Sequence, residues 1–176
     1  MNKRIFFSFF CSLTLLAASF SGEAEARSFE EVKQLVRDKF PTVNQLSVGD
    51  YRKEIQLSEN NSHVLLDVRD KEEYEVSHIS GAKLSPSVRR AVAILKGKPR
   101  DTKIVVYCSV GYRSSSLAAK LIKRGYTNVH NLEGSIFEWA NNDFPVFRGN
   151  AEVHEVHIYN KTWGKLLKSE FHPREC

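Results

Sequence analysis

Cysteine is scarce in this sequence, with three in 176 residues, at Cys11, Cys108 and Cys176. That excludes a scaffold built on disulfides, which needs several pairs in a short chain. A long hydrophobic run is missing too: the longest, Ile5 to Phe20, is shorter than the roughly 20 residues of an ordinary membrane-spanning helix. Aromatic and basic residues are not interleaved, and pairs such as Arg89-Arg90 and Lys123-Arg124 read as solvated faces. The formal charge of +5 therefore points to a mild preference for anions, with no nucleic-acid partner expected. His154-Glu-Val-His157 spaces its histidines by three, where a helical H-E-x-x-H zinc site spaces them by four, and no further ligand cluster follows. No metal and no cofactor are expected. No internal repeat or low-complexity tract is visible.

What is present begins with an export signature. Lys3 and Arg4 form a positive n-region, Ile5 to Phe20 an apolar h-region, and Ala24-Glu25-Ala26 an A-x-A cleavage site. Residues 1–26 are read as a signal peptide cut after Ala26, which directs the mature chain to the periplasm or outside the cell. Cys11 leaves with it, and no membrane association is expected after cleavage. Cleavage removes Lys3, Arg4, Glu23 and Glu25, so the charge balance does not change. Arg27 to Cys176 has the length of one domain.

The mature chain alternates strand and helix patterns. Ser28 to Lys39 carries Phe29, Val32, Leu35 and Val36 at helical spacing, with Ser28 and Glu31 as a capping box and Pro41 as terminator. Val43 to Ser47 reads as a strand, Val48 to Ile55 as a helix, and residues 58–62 as a loop. His63 to Asp67 is an apolar central strand, Lys71 to Val76 a short helix, and Gly81 to Leu84 a third strand ending at Pro86. Val88 to Leu95 is helical and Lys96 to Lys103 a basic turn. Strand Lys103 to Tyr107 and the amphipathic run Leu117 to Arg124 follow, with Ser114 to Ser116 as cap candidates. Asn128 to Leu132 and Ser135 to Asn141 supply a fifth strand and a helix, where Phe137 and Trp139 read as core packing. This alternation predicts a three-layer α/β fold with a mostly parallel sheet, in which ligands bind at the carboxyl ends of the strands. Asp67-Val-Arg69 and Cys108 both lie at such ends. The segment from Arg148 is a polar tail with Val153, Val156 and Ile158 and a helix near Trp163 to Leu167; it has no assigned role.

Between strand and helix, Cys108-Ser-Val-Gly-Tyr-Arg113 brackets a short glycine-containing loop with a thiol and a guanidinium. Such a turn points backbone N–H groups inward, and the helix N-terminus adds partial positive charge. Both favour the thiolate, the reactive form of cysteine. Gly111 is needed for positive φ or close backbone approach. Cys108 can pair with Cys176, pair with another protein or remain free, and the three fates stay open.

These residues resemble the rhodanese family. Leu65-Leu-Asp-Val-Arg69, Glu73-Tyr74 and Ser77-His-Ile-Ser-Gly-Ala82 resemble its N-terminal signature. Cys108 to Arg113 matches its active loop, a cysteine and an arginine separated by four residues. Leu132-Glu-Gly-Ser-Ile-Phe-Glu-Trp139 resembles its C-terminal signature. Two positions depart from the pattern: Ser135 stands where a second glycine is common, and Ser77 where glycine usually precedes the His-Ile pair. The resemblance implies a rhodanese-like three-layer fold, with a five-stranded parallel sheet flanked by helices. It divides the chain into a helical extension at 27–42, a single rhodanese domain at 43–147 and a C-terminal extension at 148–176.

The resemblance also implies a sulfurtransferase of the thiosulfate type. The Cys108 thiolate takes a sulfane sulfur from a small anionic donor, thiosulfate or a persulfide-type compound, and passes it to cyanide, a thiol or a protein acceptor. Backbone N–H groups from Ser109, Val110, Gly111, Tyr112 and Arg113 would hold the outer sulfur, and Arg113 would bind the donor. Arg69 would add a second charge or buttress the loop by pairing with a carboxylate. Asp67 and His78 are read as structural. Two other classes compete. A phosphatase or arsenate reductase wants five residues between cysteine and arginine to surround a tetrahedral centre, and this loop has four. A non-catalytic or partner-specific sulfur-relay module would retain the same loop and use the tail for docking.

Overall fold

The computed structural model describes residues 28–57 and 63–174. The segment read as a signal peptide, the loop 58–62 and Cys176 lie outside the described residues, and with Cys176 its pairing with Cys108; among the described residues Cys108 has no disulfide partner. The elements are α1 (Phe29–Lys39), β1 (Asn44–Leu46), α2 (Val48–Leu57), β2 (Val64–Asp67), α3 (Lys71–Val76), β3 (Lys83–Leu84) and α4 (Val88–Ile94). They continue with β4 (Ile104–Tyr107), α5 (Tyr112–Ile122), β5 (Val129–Leu132), α6 (Ser135–Asn141), β6 (Val146–Arg148), β7 (Ala151–Val153), α7 (Lys161–Gly164) and a 3₁₀ turn at Ser169–Phe171.

Five strands form one parallel sheet in the order β1-β5-β4-β2-β3. The central strands β2 and β4 are buried along their whole length, and both are near-continuous apolar runs, as strands covered on both faces should be. The two-residue period sorts β4: Val105 and Tyr107 pack on one face, and Ile104, Val106 and Cys108 on the other. The chain leaves β2 through α3 towards β3 and leaves β4 through α5 towards β5, in opposite directions across the sheet. The crevice between the ends of β2 and β4 is thus the topological switch point, where this class of sheet binds ligands.

The described segments on either side of the sheet pack onto this frame. Ser28 caps α1 reciprocally with Glu31, Val32 enters the core, and Arg37 forks onto Glu133 at 2.7 and 2.9 Å. The segment after α6 is more ordered than a polar tail. β6 and β7 form an antiparallel hairpin, and Phe147 of β6 bridges to His78. Val156, Leu167 and Phe171 join the core on the Tyr107 face, with the Val156 N–H donating to the Phe171 carbonyl at 2.8 Å. Burying a side chain the size of leucine or phenylalanine is worth about 1.5–3 kcal/mol, so this segment is an integral part of the fold.

Helix α5 corrects the sequence reading. It begins at Tyr112 with Gly111 as N-cap, so Ser114 to Ser116 lie inside the helix and do not cap it. Ser114 and Ser115 are fully buried, and their hydroxyls serve side-chain contacts instead.

Candidate active site

The β4–α5 loop turns at Gly111, whose φ of 106° is left-handed. A Cβ there would also stand 3.2 Å from Asn131 Nδ2, so both conformation and space select glycine. The turn carries the Gly111 N–H to 3.2 Å from Cys108 Sγ. Ser114 Oγ lies 3.5 Å from the same sulfur and 2.6 Å from Asn131 Oδ1. A hydroxyl has a single hydrogen, so the amide oxygen is its better acceptor while the sulfur is a thiol. Asn131 is held in turn by Gln45 at 2.7 Å. Burial pushes the Cys108 thiol up, but the Arg113 charge and hydrogen bonds from Ser114 and Gly111 outweigh it. The thiol ends below its ordinary value.

From the other side, Ser135 fixes the loop's base. Its φ is 55°, and its hydroxyl accepts from the Cys108 N–H at 3.1 Å while donating to the Leu132 carbonyl at 3.0 Å. The serine that departs from the two-glycine pattern therefore keeps the left-handed turn and adds a tether to the Cys108 backbone.

Arg113 does not stand free. Its two terminal nitrogens donate to the Glu73 carboxylate at 2.7 Å each, and one also reaches Ser109 Oγ at 3.0 Å. Ser109 Oγ donates to Glu73 at 3.1 Å, and the Asp70 N–H at 3.1 Å completes the carboxylate's shell. Burial pushes Glu73 up, yet Arg113 and the Asp70 N–H hold it below the usual carboxylate value. The Tyr159 ring lies across the guanidinium, 4.7 Å from ring centre to Cζ.

A cavity of about 140 Å³ opens over Cys108, walled by Val110, Tyr112, Tyr159 and Trp163. Tyr159 has φ 63°, a left-handed conformation that costs a non-glycine residue roughly 1–2 kcal/mol. It is held there by its N–H, which donates to His157 Nδ1 at 3.0 Å, and by Asn160, whose side chain caps α7 through Thr162 and Trp163.

The structure brings Cys108, Ser109, Val110, Gly111, Tyr112 and Arg113 together and leaves Arg69, Asp67 and His78 outside the cavity. Of the two readings of Arg69, the geometry carries the pairing with a carboxylate, although the pair braces the end of β2 and the Ser77 carbonyl and not the cysteine loop. Its side chain is wholly buried and forked onto Asp67, with contacts down to 2.7 Å; it also donates to the Ser77 carbonyl at 2.6 Å. A guanidinium so enclosed has no access to a donor, which corrects the expectation that Arg69 adds a second donor-binding charge. His78 stacks on Tyr74 at 4.0 Å and bonds the Tyr74 carbonyl through Nδ1.

The sequence reading assigned no role to Glu73, Gln45, Asn131, Tyr159 or Trp163. Glu73 did carry a signal: Asp70-Lys-Glu-Glu73 is the spacing of a capping box, which places Glu73 at the head of α3, beside the loop.

A family model described as the rhodanese-like domain matches residues 52–142. The chain belongs to this family. Among curated proteins, the rhodanese-like chain is 31% identical over 154 residues to a tRNA uridine(34) hydroxylase of Pectobacterium carotovorum, a match covering 78% of this chain and 43% of that protein. The chain thus spans less than half the length of the curated relatives it matches. Among solved structures, a thiosulfate sulfurtransferase of Pseudomonas aeruginosa superposes with a TM-score of 0.58 at 17% identity, over 78% of this chain and 26% of that one. The BH2092 protein of Bacillus halodurans superposes at 0.53 with 23% identity, over 67% and 85%. At these identities the structural likeness establishes the fold.

Proposed function

We propose that this rhodanese-like protein is a sulfurtransferase whose Cys108 carries the sulfur as a persulfide. The observation that supports it most is the sulfur's setting: a thiol below its ordinary value, at the head of α5, 3.2 Å from the Gly111 nitrogen. In the first half-reaction the Cys108 thiolate attacks the outer sulfur of the donor. The donor's S–S bond breaks, and its electron pair leaves on sulfite or on a thiolate. In the second, an acceptor attacks the outer sulfur of the Cys108 persulfide and regenerates the thiolate. No general base is required when the nucleophile is already ionised, and the scheme is ping-pong. N–H groups at the loop hold the terminal sulfur anion as an oxyanion hole holds oxygen. The four-residue spacing between Cys108 and Arg113 favours this chemistry over phosphatase or arsenate reductase chemistry.

The test is the intact mass of reduced protein before and after donor, then after cyanide, beside Cys108→Ser. One added sulfur that cyanide removes, absent in the variant, is the expected result. No uptake by the fully reduced protein from thiosulfate or from a persulfide would overturn the reading in favour of a binding module.

The name of the curated relatives supports a second reading, a rhodanese-like unit serving hydroxylation of tRNA uridine. Loss of tRNA hydroxylation on deletion of the gene, with binding of tRNA by the purified protein, would favour it over the small-molecule scheme. The N-terminal Lys3-Arg4 and Ile5 to Phe20 pattern supports export as part of our proposal. Cell fractionation and N-terminal sequencing test it, with a mature terminus at Arg27 expected.

A further inference from the structure

We infer that Tyr159 and Trp163 are specificity-determining residues that select a weakly charged donor, a small organic persulfide, against the thiosulfate dianion. The inference rests on the sulfurtransferase reading and adds the class of substrate. Both aromatics come from a segment beyond the 52–142 span matched by the family model, and both wall the cavity over Cys108.

Charge carries the first part of the argument. Arg113 is the one cation lining that cavity among the described residues. Its two terminal nitrogens are occupied by Glu73 at 2.7 Å each, and its face is covered by the Tyr159 ring. With Cys108 ionised, the thiolate, Glu73 and Arg113 sum to one net negative charge. A dianion entering there meets like charge without a free donor fork to offset its dehydration. A neutral persulfide, R–S–SH, meets neither cost.

Construction carries the second part. The lid is anchored on both sides of its apex, through Val156, Leu167 and Phe171 in the core and through Asn141, which bonds the Leu166 carbonyl and the Lys168 N–H at 2.8 and 2.9 Å. Tyr159 at that apex adopts the left-handed conformation described above, and it is this conformation that places the ring on Arg113. Cys108 is 1% exposed beneath, so a donor reaches the sulfur through the aromatic walls. Tyr112, Arg113 and Tyr159 also line the adjoining groove, which can receive the group R. The transfer balances without an oxidant: the Cys108 thiolate bonds the terminal SH sulfur, the donor S–S bond breaks, and R–S⁻ departs with the electron pair.

The experiment measures single-turnover loading of Cys108 by mass, with thiosulfate and with ethyl persulfide, in the full chain and in Tyr159→Gly, Tyr159→Phe and Trp163→Ala. Tyr159→Gly removes the ring and suits the backbone, which keeps misfolding from mimicking the effect. The wild type should load from ethyl persulfide at least about tenfold faster than from thiosulfate. Tyr159→Gly should raise thiosulfate loading and lower persulfide loading, moving their ratio by about tenfold. Trp163→Ala should move it in the same direction, and Tyr159→Phe should keep the wild-type ratio. Loading from both donors with a ratio unchanged in Tyr159→Gly and Trp163→Ala would overturn the specificity role and leave the sulfurtransferase reading standing. Loading from neither donor in the wild type would overturn both.

Discussion

Two arginine–carboxylate pairs sit at the carboxyl ends of neighbouring strands and do different work. Arg69–Asp67 follows β2, with both side chains at 0% exposure and sequence neighbours for partners. Arg113–Glu73 ties the first turn of α5 to α3, with side-chain exposures of 31% and 3%. The chemistry is the same fork. Enclosure makes the first a brace for the β2 end and the Ser77 carbonyl, whereas partial opening leaves the second charge able to act on the sulfur of Cys108. An arginine beside an active cysteine is therefore judged by what already occupies its nitrogens.

The largest effect should come from breaking the enclosed pair. Arg69→Leu strands the Asp67 carboxylate in the interior, and losing one partner of a buried pair costs about 3–5 kcal/mol. Urea denaturation should show that loss. Asp67→Asn combined with Arg69→Met should recover the larger part, because no charge is left unpaired. A loss below about 1 kcal/mol for Arg69→Leu, the level of an exposed pair, would erase the distinction between the two forks.

Breaking the open pair should cost less stability and more reactivity. Arg113→Gln leaves Glu73 short of its donors, which costs roughly 1–3 kcal/mol. Burial then dominates at Cys108, because the charge that most strongly opposes it is gone. The midpoint of the pH profile for alkylation by iodoacetamide should therefore rise in the variant. An unmoved midpoint would mean that the N–H groups alone set the thiol.

The same fork gives a signed acid dependence. Glu73 is lowered in the folded protein from its reference value of 4.5. Its contribution to stability is complete above that unfolded value and is lost as pH falls through the lower folded value, where the unfolded state binds the extra proton first. Denaturation midpoints measured from pH 6 downwards should fall in the wild type as pH drops below that reference value. In Arg113→Gln that acid limb should flatten, because burial without the partner raises Glu73. An identical limb in both proteins would assign the acid sensitivity to other carboxylates.

How far the sequence exposed this arrangement follows from the range of each signal. The alternation of strand and helix, the Ser28–Glu31 box and the cysteine loop are local patterns, and a mostly parallel sheet with Cys108 at the carboxyl end of a strand was legible from them, whereas the strand order that makes this end the switch point was not. The cap of α5 was misjudged because serine is a common N-cap, while here Gly111 takes that position and the serines turn inward. The partner of Arg113 lies 40 residues away, and only packing of α3 on the loop selects Glu73. The three-residue strands β6 and β7 are too short for alternation to be recognised. Nothing in a tyrosine announces the left-handed turn that carries Tyr159 over the site.

The smallest expected effect separates the two roles of Ser135, conformation and tether. Ser135→Ala keeps a side chain at φ 55° and removes the hydroxyl that accepts from the Cys108 N–H and donates to the Leu132 carbonyl, at a cost of about 1–3 kcal/mol for the buried groups left unpaired. Ser135→Gly loses the same bonds but relieves the backbone, so it should be the more stable of the two by about 1 kcal/mol. Both should slow sulfur loading by a similar factor, since both free the nitrogen of the nucleophile. If Ser135→Gly instead loads at the wild-type rate while Ser135→Ala does not, the turn positions Cys108 and the hydroxyl only stabilises it. The tether would then belong with the Arg69–Asp67 brace, as structure near the site and not as part of its chemistry.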